Sequence, residues 1–222
     1  IAGGLLGLLV GDALGVPYEF HGPAQIPQAS QIEFTPPAAF RRSHASVPPG
    51  TWSDDGARAL CLLASLLECD RFDAADFAQR LTSWYERGYM AVDGIVFDVG
   101  IQTRKAIGML RAGETSGPAT ERDNGNGSLM GVLPLALWHT GSDEALALDA
   151  HAQSKVTHGH PRSQVCCALY CLWARYTLEE DSAPWETAVE ALRGVYAVRP
   201  VHGAELEALL RVDVQPTGTG YV

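Results

Sequence analysis

Basic residues are scarce in this chain of 222 residues, which has 16 Lys and Arg against 26 Asp and Glu and a net charge of −10 at pH 7. Nucleic-acid-binding domains present a basic face, so this composition argues against general nucleic-acid binding. It leaves open an anionic ligand that is held by a metal ion or by backbone N–H groups.

Long apolar runs are also missing. The longest, at residues 5–10, is interrupted by Gly7 and is too short to cross a bilayer. No basic segment precedes it, as a signal peptide would require. We therefore expect a cytoplasmic protein without a membrane partner. The cysteines agree, because they are odd in number, lie in apolar helical patterns and lack zinc-like spacing, which indicates reduced core thiols. They are Cys61, Cys69, Cys166, Cys167 and Cys171.

Alternating strand patterns, βαβ units and repeats of fixed period are absent as well. The remaining periodicity predicts one all-α domain of about eight helices over residues 1–222. Residues 1–14 are apolar and rich in glycine, which predicts a closely packed helix in a buried position. Residues 54–68 predict a second helix. Its apolar stripe consists of Ala57, Leu60, Cys61, Ala64 and Leu67, with Arg58 and Ser65 outside it.

A hydroxyl and two adjacent carboxylates stand at the start of this second helix, in the segment Gly50-Thr51-Trp52-Ser53-Asp54-Asp55-Gly56. Neighbouring side chains on a helix point about 100° apart, so adjacent acids share a ligand only at a helix end. Such oxygen ligands suit Mg²⁺ or Mn²⁺. The alternative is an N-cap, with Ser53 or Thr51 capping the helix and the acids complementing its dipole.

Two further acids stand in apolar surroundings. Glu19 is the first, and its alternative interpretation is a solvated loop acid. Asp98 is the second; it lies in Phe97-Asp98-Val99-Gly100, which opens a predicted helix, so its alternative is a helix cap. Residues 21–50 are rich in proline and alanine and lack periodicity. A loop of this length is more often a lid or binding loop than a simple connection.

A glycine-rich segment, Asp123-Asn124-Gly125-Asn126-Gly127-Ser128-Leu129-Met130, precedes a short apolar helix. Its glycines could form a nest of N–H groups that holds a phosphate, and a tight turn explains them equally well. It matches neither the P-loop nor the dinucleotide-binding motif. The segment Thr157-His158-Gly159-His160-Pro161 then opens a long helix. Its histidines could bind metal, although capping or ligand contact fits better without a third ligand.

Together these segments resemble the ADP-ribosylglycohydrolase family and follow the family's order from Ala2 to Pro161. The matching segments are Ala2-Gly3-Gly4 with Gly11-Asp12-Ala13-Leu14-Gly15 and Glu19, Trp52-Ser53-Asp54-Asp55, Phe97-Asp98-Val99-Gly100, Gly125-Asn126-Gly127-Ser128-Leu129-Met130 with Pro134, and Thr157-His158-Gly159-His160-Pro161. The resemblance implies a compact orthogonal helical bundle with two divalent metal ions, Mg²⁺ or Mn²⁺, in a cleft that binds ADP-ribose.

The resemblance also implies residue roles. Ser53, Asp54 and Asp55 would bind the first metal. Glu19 and Asp98 would be the catalytic carboxylates, with Glu19 near the scissile bond and Asp98 facing the distal ribose; which is acid and which is base stays open. Residues Gly125, Asn126, Gly127, Ser128, Leu129 and Met130 would wrap the diphosphate and ribose, and His158 would line the ribose side of the pocket.

The chain departs from the family pattern in two ways. Family members carry a second acidic motif near the C-terminus, of the type Asp-Asp-x-Asp-Thr, and residues 1–222 contain none. We therefore expect a C-terminally incomplete domain whose residues 217–222 lead toward further helices. We expect it to bind metal weakly, to hydrolyse poorly and to self-associate through the face that the missing helices leave open. Second, Gly131 stands where many members have arginine, which removes a phosphate or structural contact.

The leading hypothesis is a metal-dependent hydrolase that removes ADP-ribose from a modified protein side chain or a small conjugate. The alternative is a non-catalytic ADP-ribose-binding or immunity-type module on the same fold. The missing motif favours this alternative, and the intact acids oppose it. A different Mg²⁺ enzyme acting on a diphosphate is disfavoured, because Asp54-Asp55 lacks a further acid three or four residues on.

Overall fold

A computed structural model describes residues 1–211 of the chain. These residues form nine α-helices and no strand, which confirms the all-α prediction. None of these helices is both long and apolar enough to cross a membrane. The expected lead toward further helices at residues 217–222 lies outside the described residues. The helices are α1 (Ala2–Gly15), α2 (Asp54–Cys69), α3 (Ala74–Arg87), α4 (Ile101–Arg111), α5 (Leu133–Trp138), α6 (Asp143–Lys155), α7 (Pro161–Leu178), α8 (Pro184–Tyr196) and α9 (Pro200–Leu210).

The long helix α7 is the centre of the bundle, since it packs against α5, α6, α8 and α9. Its Leu172 is fully buried. A second region of the core forms where α2 packs on α3 and α5, around Phe77 and Trp84. Both regions belong to one continuous apolar core, and burying each large side chain stabilises the fold by about 1.5–3 kcal/mol. Pro161 opens α7, as the sequence predicted; in addition Asp73 caps α3 and Pro184 opens α8.

The first helix differs from the prediction of a buried position. Within residues 1–211, its main contacts are with the 3₁₀ turn that follows it (Val16–Tyr18), with α2 and with α5. Ala13 is the one residue of α1 that is buried. Leu6 and Val10 are 60% and 51% exposed. Of the glycines in α1 only Gly4 permits a close approach, since a Cβ there would lie 3.3 Å from Leu137, whereas a Cβ at the others would meet nothing within 4 Å.

The predicted apolar stripe of α2 was correct for Ala57 and Cys61, which are buried, but it was too narrow and misplaced Leu67. Arg58 is only 1% exposed and Ser65 is 0% exposed, whereas Leu67 is 66% exposed. The buried arc is wider than an apolar stripe because α1, α3 and α5 all pack against α2. Arg58 tolerates burial since its guanidinium finds two hydroxyl partners inside the fold.

The cysteines agree with reduced core thiols, as all five are free and Cys61, Cys167 and Cys171 are buried. The loop at residues 21–50 holds two 3₁₀ turns, Pro23–Gln25 and Ala29–Gln31, and is otherwise irregular. It returns to the bundle near Val47, which is buried, and Ser43 N–H donates to the carbonyl of Pro17. The loop therefore lies beside the end of α1, where Glu19 follows.

Candidate active site

Asp12 joins the end of α1 to the start of α2. Its carboxylate accepts hydrogen bonds from Ser53 Oγ at 2.8 Å, from Ser53 N at 2.9 Å and from Gly56 N at 2.7 Å. These donors include backbone N–H groups that an α-helix leaves without partners in its first turn. Asp12 thereby holds Ser53, Asp54 and Asp55 in place. Asp12 was not predicted as a site residue. The only signal for it in the sequence was its position in one of the segments that resemble the family.

The two acids that begin α2 are held where a carboxylate is costly. Asp54 is buried and Asp55 is half-buried. Burial raises the pKa of Asp55 to about 6, and the nearby charge of Asp12 adds to the effect. Burial also raises the pKa of Asp54 well above its usual range, with Arg58 opposing it and Asp55 adding to it. The capping alternative agrees with the structure for Ser53, whose Oγ accepts from Asp55 N, and both acids lie in the first turn of α2, where they complement the helix dipole. It does not explain why the acids are buried close to other carboxylates.

A second group of side chains meets between the end of α1 and the start of α4. Glu19 Oε2 lies 2.7 Å from His44 Nε2, and Asp98 Oδ1 lies 3.9 Å from the same nitrogen. Burial raises the pKa of Glu19 to about 7, Asp98 adds to the shift and His44 opposes it. Burial likewise raises the pKa of Asp98, and His44 opposes it. Glu19 is therefore not a freely solvated loop acid.

The capping interpretation of Asp98 was wrong. Helix α4 begins after Gly100, and no side chain caps it. Asp98 itself has a φ of +52°, in the left-handed region that a non-glycine residue adopts at some cost. Strained residues of this kind gather at functional sites. The backbone here turns the carboxylate toward Glu19 and His44 instead of along the helix.

His44 is a site residue that the sequence did not reveal. It lies on the irregular loop at residues 21–50, with a φ of +48°, and its ring packs against Phe20 and Phe97 at centroid distances of 5.6 and 5.0 Å. No spacing or periodicity marks it. Only the folded loop, which Ser43 Oγ ties to the Glu19 carbonyl, brings it to the acids.

The acids face a common region, and its donor chemistry fits divalent cations. Asp12 and Asp98 raise the pKa values of both Asp54 and Asp55 beyond the effect of burial, which places these charges within reach of one another. Hard cations such as Mg²⁺ and Mn²⁺ prefer oxygen ligands. Ser53, Asp54 and Asp55 offer such oxygens, and within residues 1–211 Glu19, His44 and Asp98 offer ligand atoms that all lie within 4.8 Å of one another.

The glycine-rich segment forms a 3₁₀ turn at Asn126–Ser128. Neither Gly125 nor Gly127 has a positive φ, so the alternating backbone of an N–H nest is absent and the tight-turn interpretation holds. Glycine is needed for another reason. A Cβ on Gly127 would lie 2.8 Å from His158 Cε1 and 2.9 Å from His158 Nε2, and one on Gly125 would lie 3.7 Å from His158 Nε2. The segment thus fits closely over the His158 ring.

The remaining predicted loop residues divide by exposure. Asn126 is exposed, Leu129 and Met130 are half-buried, and Ser128 is buried. Ser128 Oγ lies 2.9 Å from Ser154 Oγ and faces the interior. Its hydroxyl is therefore engaged inside the protein, which leaves the outer part of the turn to contact a ligand.

The two histidines of the last segment have different roles. His160 caps α7, since its Nδ1 accepts from Arg162 N at 3.1 Å. His158 is 2% exposed, and its Nδ1 lies 2.8 Å from Thr157 Oγ1. Neither histidine belongs to a three-residue metal group in the described part of the chain. The capping alternative is right for His160, and His158 is the one that lies beside the glycine-rich turn.

The helical fold agrees with the comparison to known proteins. The sequence profile described as ADP-ribosylglycohydrolase matches residues 1–222. The chain belongs to the ADP-ribosylglycohydrolase family. A solved structure described as an ADP-ribosylglycohydrolase-related protein complex matches with a TM-score of 0.67 and 30% identity, over 87% of this chain and 61% of that chain. The fold is thus that of the ADP-ribosylglycohydrolases.

Three curated relatives have named activities. An ADP-ribosylarginine hydrolase Tri1 from Pseudomonas putida (strain GB-1) is 35% identical, over 86% of this chain and 50% of the relative. Another Tri1, from Serratia proteamaculans (strain 568), is 30% identical, over 97% and 57%. An ADP-ribosyl-[dinitrogen reductase] glycohydrolase from Rhodospirillum rubrum is 34% identical, over 74% and 53%. The chain spans about half the length of these relatives.

Gly131 distinguishes this ADP-ribosylglycohydrolase sequence from the expected family pattern, and the structure shows what the glycine permits. A Cβ at this position would lie 3.2 Å from Arg58 Cβ and 3.3 Å from the backbone nitrogen of Ala59. A larger side chain would push against α2 one turn after Asp54. Gly131 therefore lets the end of the glycine-rich segment rest directly on α2 at Arg58.

Proposed function

We propose that this chain is part of a divalent-metal-dependent hydrolase that cleaves the glycosidic bond between ADP-ribose and a modified side chain or small conjugate. The observation that carries the proposal is the cluster of buried carboxylates at the start of α2, beside Glu19 and Asp98. Burial raises the pKa values of these acids. Such a cluster is costly to fold unless a cation or a reaction needs it.

The metal ions fit the residues that the fold supplies. Ser53, Asp54 and Asp55 would hold one ion, and the bound metal would supply Lewis-acid chemistry and orient hydroxyl and water oxygens. Arg58 already offsets part of the charge, since it lowers the pKa values of Asp54 and Asp55. The region nevertheless remains strongly acidic, as expected for a site that completes its charge balance with Mg²⁺ or Mn²⁺.

Glu19 and Asp98 would carry the proton transfers. Glycoside cleavage passes through an oxocarbenium-like centre and uses carboxyl groups as acid and base. A general acid or base works best with a pKa near the operating pH, and burial brings the pKa of Glu19 to about 7. His44 Nε2 holds the Glu19 carboxyl at 2.7 Å and keeps it oriented beside Asp98. Which of the two residues acts as the acid and which as the base stays open.

The substrate class follows from the relatives. Two of them are named ADP-ribosylarginine hydrolases and a third is named for an ADP-ribosylated dinitrogen reductase. We therefore propose ADP-ribosylated arginine as the first substrate to test. The turn at Asn126–Ser128 and His158 would line the ADP-ribose side, and the loop at residues 21–50 would lie on the acceptor side next to Glu19.

We also propose that the 222-residue polypeptide by itself holds metal weakly and turns over slowly. Its sequence carries Ser53, Asp54 and Asp55 but no Asp-Asp-x-Asp-Thr segment. With Glu19 and Asp98 serving the proton transfers, Ser53, Asp54 and Asp55 alone would leave a pair of ions dependent on many water ligands. Assays therefore need millimolar metal, and any longer product of the same reading frame is the natural comparison.

The decisive assay measures free ADP-ribose released from ADP-ribosylated arginine at millimolar Mg²⁺ or Mn²⁺, for the 222-residue polypeptide and any longer product. We expect release that a chelator abolishes and that Asp54→Asn abolishes. The matched control is Glu68→Gln, because Glu68 is an exposed acid near the other end of the same helix. Binding of ADP-ribose without release would favour the non-catalytic module. Neither binding nor release by any form would refute the proposal.

A further inference from the structure

The described structure contains a buried chain of polar groups that runs from α2 to His158. Arg58 Nη2 donates to Thr157 Oγ1 at 2.9 Å, and Arg58 Nη1 donates to Thr103 Oγ1 at 2.9 Å. Thr157 Oγ1 in turn lies 2.8 Å from His158 Nδ1. All four side chains are at most 2% exposed. Water therefore does not compete for these hydrogen bonds.

Counting donors and acceptors shows which atom donates in each of these hydrogen bonds. Arginine has N–H donors and no acceptor, so Thr157 Oγ1 must accept from Arg58. The hydroxyl of Thr157 keeps one hydrogen to donate. Within residues 1–211, its one other side-chain partner is His158 Nδ1. If Nδ1 carried a hydrogen, the threonine hydrogen would have no acceptor in a buried place, which is costly. The Nδ1 atom is thus the acceptor.

The neutral imidazole must then carry its hydrogen on Nε2. Burial lowers the pKa of His158 to about 3, and the charge of Arg58 adds to the effect, so the ring is neutral near pH 7. The main chain around the ring is also held, because His158 N donates to the Ser154 carbonyl at 2.7 Å and Ser154 Oγ donates to the His158 carbonyl at 3.0 Å. The tautomer and the orientation are fixed together.

The Nε2 atom is the second hydrogen-bonding atom of the His158 ring. It has no hydrogen-bond partner in the described residues, yet it is not among their fully enclosed unpartnered polar atoms, which are Arg58 Nε, Ser65 Oγ and Gln153 Oε1. It lies beside the glycine-rich turn, where Cβ atoms on Gly125 and Gly127 would lie 3.7 and 2.9 Å from this nitrogen, so a side chain at either position would cover or displace it. The accessible edge of this otherwise buried histidine is therefore a single N–H group.

We propose that Arg58 and Thr157 are positioning residues that fix His158 as the Nε2–H tautomer, so that His158 donates a hydrogen bond to an acceptor oxygen of ADP-ribose. The identity of this ligand rests on the proposed function. The tautomer does not, because it follows from the contacts of Arg58, Thr157 and His158 alone. A neutral donor at this edge selects a hydroxyl or phosphate oxygen and rejects a group that can only donate.

The test compares the 222-residue polypeptide with Thr157→Val, which keeps the shape of the side chain and removes its hydroxyl. Thr157→Ser is the matched control, since it keeps the hydroxyl. Histidine ¹⁵N NMR at pH 7 reports which ring nitrogen carries the hydrogen, and calorimetric titration with free ADP-ribose reports affinity. We expect Nε2–H in the wild type and in Thr157→Ser. We expect mixed tautomers in Thr157→Val, with affinity about tenfold weaker.

The outcomes separate the parts of the inference. A wild-type His158 with its hydrogen on Nδ1 would overturn the proposal, as would a Thr157→Val protein whose tautomer is unchanged. If Thr157→Val fails to fold, the wild-type spectrum still decides the tautomer. An Nε2–H histidine in a 222-residue polypeptide that binds no ADP-ribose would overturn the ligand proposed for His158, while the role of Arg58 and Thr157 would stand. The proposed function is refuted only if no form binds or releases ADP-ribose. His158→Gln, which retains a side-chain N–H donor, should bind ADP-ribose more tightly than His158→Ala.

Discussion

Gly127→Ala offers the sharpest test of the glycine-rich turn. The added methyl group would lie 2.8 Å from His158 Cε1, 2.9 Å from His158 Nε2 and 3.3 Å from Thr103 Oγ1. Real Cβ atoms do not approach ring atoms this closely, so the turn or the ring must move. The ring is held by Thr157 at Nδ1 and by Ser154 at its backbone. We therefore expect the turn at Asn126–Ser128 to shift outward.

The expected magnitude follows from the geometry. Forcing an extra methyl group into a packed place typically costs about 1–3 kcal/mol. The backbone adds no strain, because Gly127 does not have a positive φ. The matched control is Gly108→Ala, in the interior of α4, where an added Cβ meets nothing within 4 Å. That change should stabilise the protein by about 0.5–1 kcal/mol, through better helix propensity.

Denaturant unfolding and calorimetric titration with ADP-ribose measure the two effects. We expect Gly127→Ala to lower the free energy of unfolding and to weaken ADP-ribose binding, whereas Gly108→Ala should raise the free energy of unfolding and leave binding unchanged. A Gly127→Ala protein as stable as the wild type, with the same affinity, would show that the turn does not rest on His158. It would also refute the proposal that this turn lines the ADP-ribose site.

Three further predictions concern titratable groups. Burial lowers the pKa of His151 to about 3 from about 6.5 in the unfolded chain, so its stabilising contribution is present above pH 6.5 and is lost as the pH falls. The free energy of unfolding of the wild type should therefore fall by about 2 kcal/mol between pH 7 and pH 5 relative to that of His151→Gln. Equal pH profiles of the two proteins would contradict this. Burial and Asp12 raise the pKa of Asp55 to about 6, so the ionised acid destabilises the fold as the pH rises through 6. Thermal unfolding at pH 7 should show that Asp55→Asn is more stable than the wild type without metal and is less stabilised by millimolar Mn²⁺. A variant less stable than the wild type without metal would count against charge repulsion between Asp55 and Asp12. Glu19→Gln should lower the rate of ADP-ribose release by about 10²–10⁴-fold while leaving ADP-ribose binding nearly intact, and a rate close to wild type would remove Glu19 from the chemistry.

The helices were largely predictable because their evidence is local. Pro161 opens α7, as the sequence predicted, and Asp73 caps α3 through its own side chain. The register of α2 was not predictable in this way. Arg58 and Ser65 are buried and Leu67 is exposed. Which face of a helix is covered depends on the neighbours that pack against it, and apolar content alone misplaced the α2 stripe.

The candidate site divides in the same manner. Ser53, Asp54 and Asp55 are adjacent in sequence, so their convergence at one helix end was predictable from helix geometry. Asp12 and His44 were missed, because each reaches the site through contacts with residues more than twenty positions away. Asp98 was predicted as a catalytic carboxylate with a helix cap as the alternative, and the structure was needed to exclude the cap, since a positive φ that turns the carboxylate aside leaves no mark in the sequence.

The sequence by itself determined that the chain is all helical, that it belongs to a family with a diagnostic order of short segments, and that oxygen-rich side chains stand at a helix start. These properties depend on residue types at short spacing, which local backbone geometry converts directly into structure. Only the tertiary structure decided that Glu19, His44 and Asp98 meet and that Arg58 is buried with Thr157 behind His158. Those contacts join distant segments, and they depend on how the helices pack and on where the loop at residues 21–50 returns to the bundle.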